Sequence, residues 1–411
     1  MSAKRIVVGH PRTAKERLSL AEFDACGFGH GCDHDVKRHL RAIEHDPGTR
    51  PEFHRFGRLD GRIVSRLKIV ESTLRIGRAR VRMGGIGDVQ TDPAYRGRGC
   101  ASACIRDSIE FMRREGFDLS ILFGIRDFYR RFGYVGCLPE YETRLKVLDL
   151  GGLKNPFRVE APKGLPAKRL LGEVLPLYEA AAEATPGTVV RDSMRLKRDL
   201  VAFREKRGKK RVRAYIVWRK RGSLVEAGLA PGDDAAAGAV LAWLRDRSIE
   251  RLEQRLHLRD MPPAHPLARF ARRFNHEEER GLAWNGDGMG RLIDTGAFLE
   301  KITPELEARL ASAGIDDECH LHLTLAAEGG GGRRGKPVEK SIILGAGHHF
   351  AMSRRGVLSA KVKCSEGALL QMALGTLSVD VIPGVKVSGD RALVRAAFPE
   401  AAPSIWPRDH F

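Results

Sequence analysis

The sequence lacks any run of about 18 consecutive apolar residues, the minimum for a membrane-spanning helix, so no membrane partner is expected. The leading segment Met-Ser-Ala-Lys-Arg-Ile-Val-Val-Gly-His has neither the apolar core nor the small-residue cleavage site of a secretory signal. Cysteines are few: seven in 411 residues, scattered and odd in number. That excludes a complete disulfide framework and predicts a reducing, cytoplasmic setting. Acidic residues are in the minority, with 52 Asp and Glu against 71 Lys and Arg, a net charge of +19. Such an excess suits an anionic ligand, a nucleic acid, or solubility alone. The basic residues are spread along the chain, without zinc-finger spacing, an RNA-binding aromatic signature or a helix-turn-helix, so no nucleic-acid partner is expected. Cys26, His30, Cys32 and His34 are metal-ligating types, but they crowd together with no second Cys/His pair at finger spacing. His320/His322 and His348/His349 read as strand residues, and no metal is expected.

The informative segment that is present is Asp88-Val-Gln-Thr-Asp-Pro-Ala-Tyr-Arg-Gly-Arg-Gly-Cys-Ala101. A Gly-rich apolar stretch, Met83 to Val89, leads into a Pro-marked turn and then a basic glycine loop. Ala101, Ile105, Ile109 and Met112 follow at helical spacing, and Gly116 ends that helix. A glycine loop opening into a helix offers backbone N–H groups and the positive end of the helix dipole to one anion. Arg96 and Arg98 add fixed charge, which predicts a pyrophosphate ligand. No Gly-Lys-Ser/Thr follows at P-loop spacing, and the dinucleotide fingerprint does not fit either.

Three units are expected: 1–150, 151–286 and 287–411. In the first, two strands flank Asp60-Gly61 as a hairpin, and Leu74 to Val81 alternates as a third strand. The fourth strand, the loop, the helix and a fifth strand at Leu119 to Phe123 follow. The second unit repeats the order of helix, strands, loop and helix, but with acidic Ala230-Pro-Gly-Asp-Asp234 where a phosphate loop would stand. In the third, a helix at Thr295 to Ala313 precedes a half-buried strand, Leu321, Leu323 and Leu325 alternating with His320, His322 and Thr324. The Gly-rich tract Glu328 to Lys336 reads as a hairpin tip. The fold class is α/β (α+β): tandem mixed twisted sheets flanked by helices, the second degenerate, plus an α+β domain.

Arg96-Gly97-Arg98-Gly99-Cys100-Ala101 resembles the acetyl-CoA signature of GNAT N-acetyltransferases, Q/R-x-x-G-x-G/A. The whole order, ending in a sterol-carrier-like domain, resembles the enhanced intracellular survival (Eis) family. Further matching parts are Phe128-Tyr-Arg-Arg-Phe-Gly-Tyr134, Met289 to Leu299 and the ending Asp409-His-Phe411. The resemblance implies acetyl-CoA as co-substrate. Val89, Gln90 and Thr91 would offer backbone to its pantetheine arm, and Arg96, Gly97, Arg98, Gly99, Cys100 and Ala101 would hold its pyrophosphate. It implies Tyr129 as the acid that protonates the departing thiolate, and the carboxylate of Phe411 as an aid to amine deprotonation. A direct transfer in a ternary complex would follow, to an aminoglycoside-like molecule, a polyamine or a protein lysine, in a homo-oligomer (hexamer or trimer). With a net +19, a cationic acceptor requires acids gathered locally in its pocket. Two other readings stand beside this one: a lipid-binding carrier with the GNAT part as scaffold, and a basic nucleic-acid-associated factor.

Overall fold

The computed structural model describes residues 6–28, 33–46, 48–162, 168–192, 199–219, 223–282, 285–315, 318–326, 338–344 and 358–411. His30, Cys32, His348, His349 and the tract Glu328 to Lys336 lie outside the described residues.

Asp60 (φ 53°) and Gly61 (φ 78°) turn the chain between strands β2 (His54–Leu59) and β3 (Arg62–Ile76), as the Asp-Gly pair predicts. β3 runs straight into a second hairpin with β4 (Ala79–Thr91). The expected separate strand at Leu74 to Val81 is therefore corrected: it spans the tip of this hairpin, where Ile76 pairs with Ala79 around Gly77-Arg78. A two-residue turn preserves the apolar alternation of both arms, so periodicity alone does not show the break.

β1 (Val7–Gly9) extends the sheet beyond β2, and β5 (Leu119–Ile125) lies parallel to β4. Beyond β5 comes the strand Asn285–Leu292, antiparallel both to β5 and to β6 (Val135–Leu138). That strand spans the expected boundary at 286/287 and belongs to the first sheet. Helices α1 (Ala14–Phe28), α2 (Asp33–His45) and α3 (Cys100–Arg114) flank it. On α3, Ile105, Ile109 and Met112 are almost wholly buried against Phe53, Ile69 and Phe117, each contributing about 2 kcal/mol of apolar burial.

The middle of the chain forms two antiparallel sheets. β7 (Glu140–Lys146) sits between Arg255–Arg259 and His276–Gly281. A four-stranded sheet runs Ser223–Leu229, Val212–Arg219, Leu200–Arg204, Arg158–Glu160, with helices Lys168–Ala182 and Asp234–Glu250 packed into the same core. Leu200–Arg204 lies between Val212–Arg219 and Arg158–Glu160, and β7 pairs on one side with His276–Gly281. The latter carries Glu277, Glu278 and Glu279 in a row, which has no apolar alternation to reveal it.

In the last part, Asp294, Ser365 and Asp390 each cap a helix by accepting a main-chain N–H: Thr295–Ser312, Glu366–Leu374 and Arg391–Ala397. Cys319–Ala326 is the half-buried strand expected, with Leu321, Leu323 and Leu325 inward. The chain then doubles back, burying Trp406 in the core of the middle unit.

Candidate active site

The turn after β4 is held by Asp92, whose side chain accepts from Ala94 N at 2.9 Å. Gly97 (φ 74°) and Gly99 (φ 80°) then take left-handed conformations that other residues rarely adopt. Gly99 is the N-cap of α3, and no side chain caps that end. The first-turn amides at Cys100, Ala101 and Ser102 have no intrahelical acceptor. A Cβ at Gly97 or Gly99 would meet nothing within 4 Å, so the cradle is open. Arg96 and Arg98 are exposed beside it, and the Arg98 guanidinium lies 5.2 Å from the Tyr95 ring centre. Cys100 turns its thiol inward, 3.7 Å from Tyr95 O, so only its backbone faces the loop.

β4 and β5 pair from Met83↔Leu119 to Ile86↔Leu122, yet β4 continues to Thr91 and β5 to Ile125. The sheet splits there. On the other edge of β4, Asp88 has φ 51° and the register with β3 shifts between Arg66 and Lys68, a bulge that bends β4. Past it, Gln90 donates to Phe23 O (3.1 Å) and Thr91 Oγ1 meets Ser65 Oγ (2.9 Å), while Val89 packs on the core. These side chains are occupied, and among the described residues the β5-facing backbone of Val89–Thr91 has no partner strand. Such an edge accepts an extended, amide-bearing ligand.

Tyr129 ends a single helical turn, Arg126–Tyr129, immediately after β5. Its ring lies so close over Gly124 that any Cβ there would overlap it. Phe128 and Tyr134 pack edge-on at 4.9 and 6.2 Å. Burial pushes the Tyr129 phenol up to about 12, which keeps it protonated at neutral pH.

Phe411, the last residue, reaches the opposite face of the same split. A Cβ at Gly85 would overlap its ring, and one at Gly87 would lie 2.5 Å from its carboxyl carbon. His410 stacks on Phe123 at 3.6 Å, and Phe411 lies 5.7 Å from the same ring. Phe123 and Gly124 are neighbours on β5 and so face opposite sides. Tyr129 and Phe411 thus flank the split from its two faces.

The Phe411 side opens into a cleft of about 640 Å³ whose lining includes Asp46, Lys68, Glu71, Asp192 and Arg408. At its edge lies a buried charge network. Arg66 reaches Asp24 at 2.6 Å and Asp88 at 3.3 Å, and Lys68 reaches Asp88 at 3.0 Å. Burial would raise Asp88, but Arg66 and Lys68 outweigh it and hold the carboxyl below its usual range. Burial drives Asp24 up to about 6 despite Arg66, and drives His54 down to about 3. His265 in the middle unit is likewise lowered by burial to about 4.

These shifts fix a sign for acid stability. His54 and His265 bind protons only in the unfolded chain between about pH 6.5 and their folded values, so their contribution is present above pH 6.5 and is lost on acidification. Asp24, raised in the folded state, acts in the opposite sense between about pH 4 and 6. Asp260 and Asp409, also raised, add to that offset. His410, lowered by burial to about 4, adds to the histidine side, and the net expectation is a loss of a few kcal/mol (about 2 or more) from pH 7 to pH 5. Urea midpoints at the two pH values check it; an equal or higher midpoint at pH 5 contradicts it.

Sequence reasoning did not single out Gly85, Gly87, Phe123 or Lys68 as site residues. A signal existed for the glycines, because glycine inside a strand marks close approach by another group.

Residues 41–136 match the family described as acetyltransferase (GNAT) domain. The fold is similar over nearly all of the chain to three solved structures. One is a probable N-acyltransferase from Enterococcus faecalis (TM-score 0.68, 16% identity, 99% of this chain and 100% of that one). Another is a GCN5-related N-acetyltransferase from Kribbella flavida (0.65, 19%, 99% and 99%). The third is Eis1 from Mycobacterium abscessus (0.57, 13%, 99% and 100%). No curated protein sequence matches the chain. With this match on the residues that build the glycine loop and the split sheet, the chain carries a GNAT acetyltransferase domain.

Proposed function

We propose that the chain transfers acetyl from acetyl-CoA to the primary amine of a cationic acceptor, by direct attack in a ternary complex. The observation that carries this reading is the split between β4 and β5, with an open glycine cradle at its end and a phenol and a carboxyl on its two faces. The cradle at 96–101 takes the pyrophosphate, and the free edge of Val89–Thr91 pairs with the pantetheine amides. The amine enters from the cleft beside Phe411 and leaves its extra proton with the carboxylate or with water held there. Its nitrogen lone pair attacks the thioester carbonyl, the C–S bond breaks as the carbonyl re-forms, the thiolate takes the proton of Tyr129, and the proton still on the new amide nitrogen returns through solvent to the Tyr129 phenolate. A phenol raised to about 12 stays protonated at neutral pH, so it can donate to the departing sulfur but cannot accept the amine's proton.

Asp46, Glu71, Asp192, Asp409 and Phe411 with its carboxyl line the cleft against Lys68, Arg191 and Arg408, so acid outnumbers base there on a chain of net +19. That supports a cationic acceptor, of the aminoglycoside, polyamine or lysine kind. The middle unit is read as a degenerate GNAT copy that binds no CoA. There Asp233 caps its own helix by accepting from Ala236 N (3.1 Å) and pairs with Arg213 at 2.7 Å, so the protein's own carboxylate stands where a phosphate would bind. The order of the three units supports an Eis-like assignment with a sterol-carrier-like end.

The test is thiol release from acetyl-CoA with a panel of polyamines, aminoglycosides and lysine peptides. Release should require an added amine and match acetylated product one for one. Release without amine, or none with any amine, overturns the reading.

A further inference from the structure

Before it reaches the split in the first sheet, the end of the chain is fastened to the middle unit. Ser404 N donates to Pro186 O at 2.9 Å, and Trp406 is buried edge-on to His265 at 5.2 Å. Asp409 N then donates to Trp406 O at 2.8 Å. The Asp409 side chain meets Arg191, which follows the short strand Val189–Val190. Arg191 donates from Nε (3.0 Å) and Nη2 (2.8 Å) to its two oxygens.

The same guanidinium donates to both oxygens of Glu226, at 2.9 and 2.8 Å, and lies 3.8 Å from the centre of the Tyr178 ring. Tyr215 Oη donates to Glu226 at 2.5 Å, and Tyr178 Oη donates to Val189 O at 2.5 Å. Glu226 is fully buried, and the side chains of Arg191 and Asp409 are 10% and 12% exposed. A planar guanidinium shared between two carboxylates with paired donors fixes position as well as charge. Only two residues separate Asp409 from the terminal carboxyl, and two residues span at most about 7 Å. Wherever Asp409 is held, the reach of Phe411 is set.

We propose that Arg191 is a positioning residue for acetyl transfer: gripping Asp409 against Glu226, it holds the Phe411 carboxyl in the split between β4 and β5. The middle unit, with its capped loop, then serves the reaction as the anchor of the chain's last residues. This rests on the role given to Phe411 under the proposed function.

Asp409→Asn tests it, because Arg191 keeps Glu226 and the middle unit keeps its core. In the full chain, carboxypeptidase should release phenylalanine at least tenfold faster from the variant than from the wild type. The kcat for acetyl transfer should fall about tenfold, with KM for acetyl-CoA within twofold. In a chain lacking Phe411 the same substitution should leave kcat unchanged, since the new terminal carboxyl, on His410, is one residue (about 3.5 Å) short of the split. A second loss of kcat in that background, or unchanged phenylalanine release, overturns the positioning role. If removal of Phe411 by itself leaves kcat intact, the reading of Phe411 fails instead, whatever Asp409→Asn does to phenylalanine release. Arg191→Lys is the companion variant, keeping charge without the fork; it should also speed release, and wild-type protection there overturns the role of the shared guanidinium.

Discussion

Deleting Phe411, or extending the chain past it with two glycines, is expected to lower kcat about a hundredfold while KM for acetyl-CoA stays within threefold. A positioned acid or base contributes about 10²–10⁴ to rate. The extension is the more telling variant, because it keeps the phenyl ring and converts the carboxylate into an uncharged amide. Gly87→Ala provides an independent check without touching the last residue. The added methyl would lie 2.5 Å from the Phe411 carboxyl carbon and 2.7 Å from its oxygen, closer than such contacts allow, so the carboxyl has to move. All three variants should still be thermally stabilised by CoA, which binds at the far end of the split. An extended chain with wild-type kcat sinks the assignment.

Tyr129→Phe is expected to cost a similar factor, about a hundredfold in kcat, with acetyl-CoA affinity little changed. Ring and packing survive: Phe128, Tyr134 and Gly124 contact the ring rather than the hydroxyl. The diagnostic is the leaving group. An acetyl thioester of an acidic aryl thiol departs without protonation, so the deficit should shrink to a few-fold with that donor. If the deficit is as large with the activated thioester as with acetyl-CoA, Tyr129 acts on something other than the departing sulfur.

Much of this was legible in the sequence wherever a local rule decides the conformation. Asp60-Gly61 forces a turn, Ser365 and Asp390 cap helices, and Gly97 and Gly99 take the left-handed shapes that open the loop. Each depends on a few neighbours in the chain. The hairpin at Gly77-Arg78 was hidden because alternation survives a two-residue turn. The strand His276–Gly281 was hidden because its run of glutamates finds partners on Arg144 and Arg272, which no periodicity reports. The split itself has a faint local sign in Asp88, but where β4 and β5 part is decided by pairing across the sheet. The cleft was least legible of all, since its acids come from segments as distant as Asp46, Glu71 and Asp192.

The strand Asn285–Leu292 has a consequence for how the molecule is made. Arg291 pairs with Ser120 and Gly290 with Val135, so β5 and β6 meet only through a segment translated after the whole middle unit. Closing that gap costs loop entropy before any pairing compensates it, and contacts of such long sequence separation slow folding. Until then β5 and β6 each present a bare edge, the feature that invites mispairing and aggregation. The acetyltransferase sheet comes first in the sequence and is among the last parts to be completed. A fragment cut after residue 150 would lack the strand that joins β5 to β6, and expressing this catalytic unit alone calls for grafting that strand back rather than for a shorter gene.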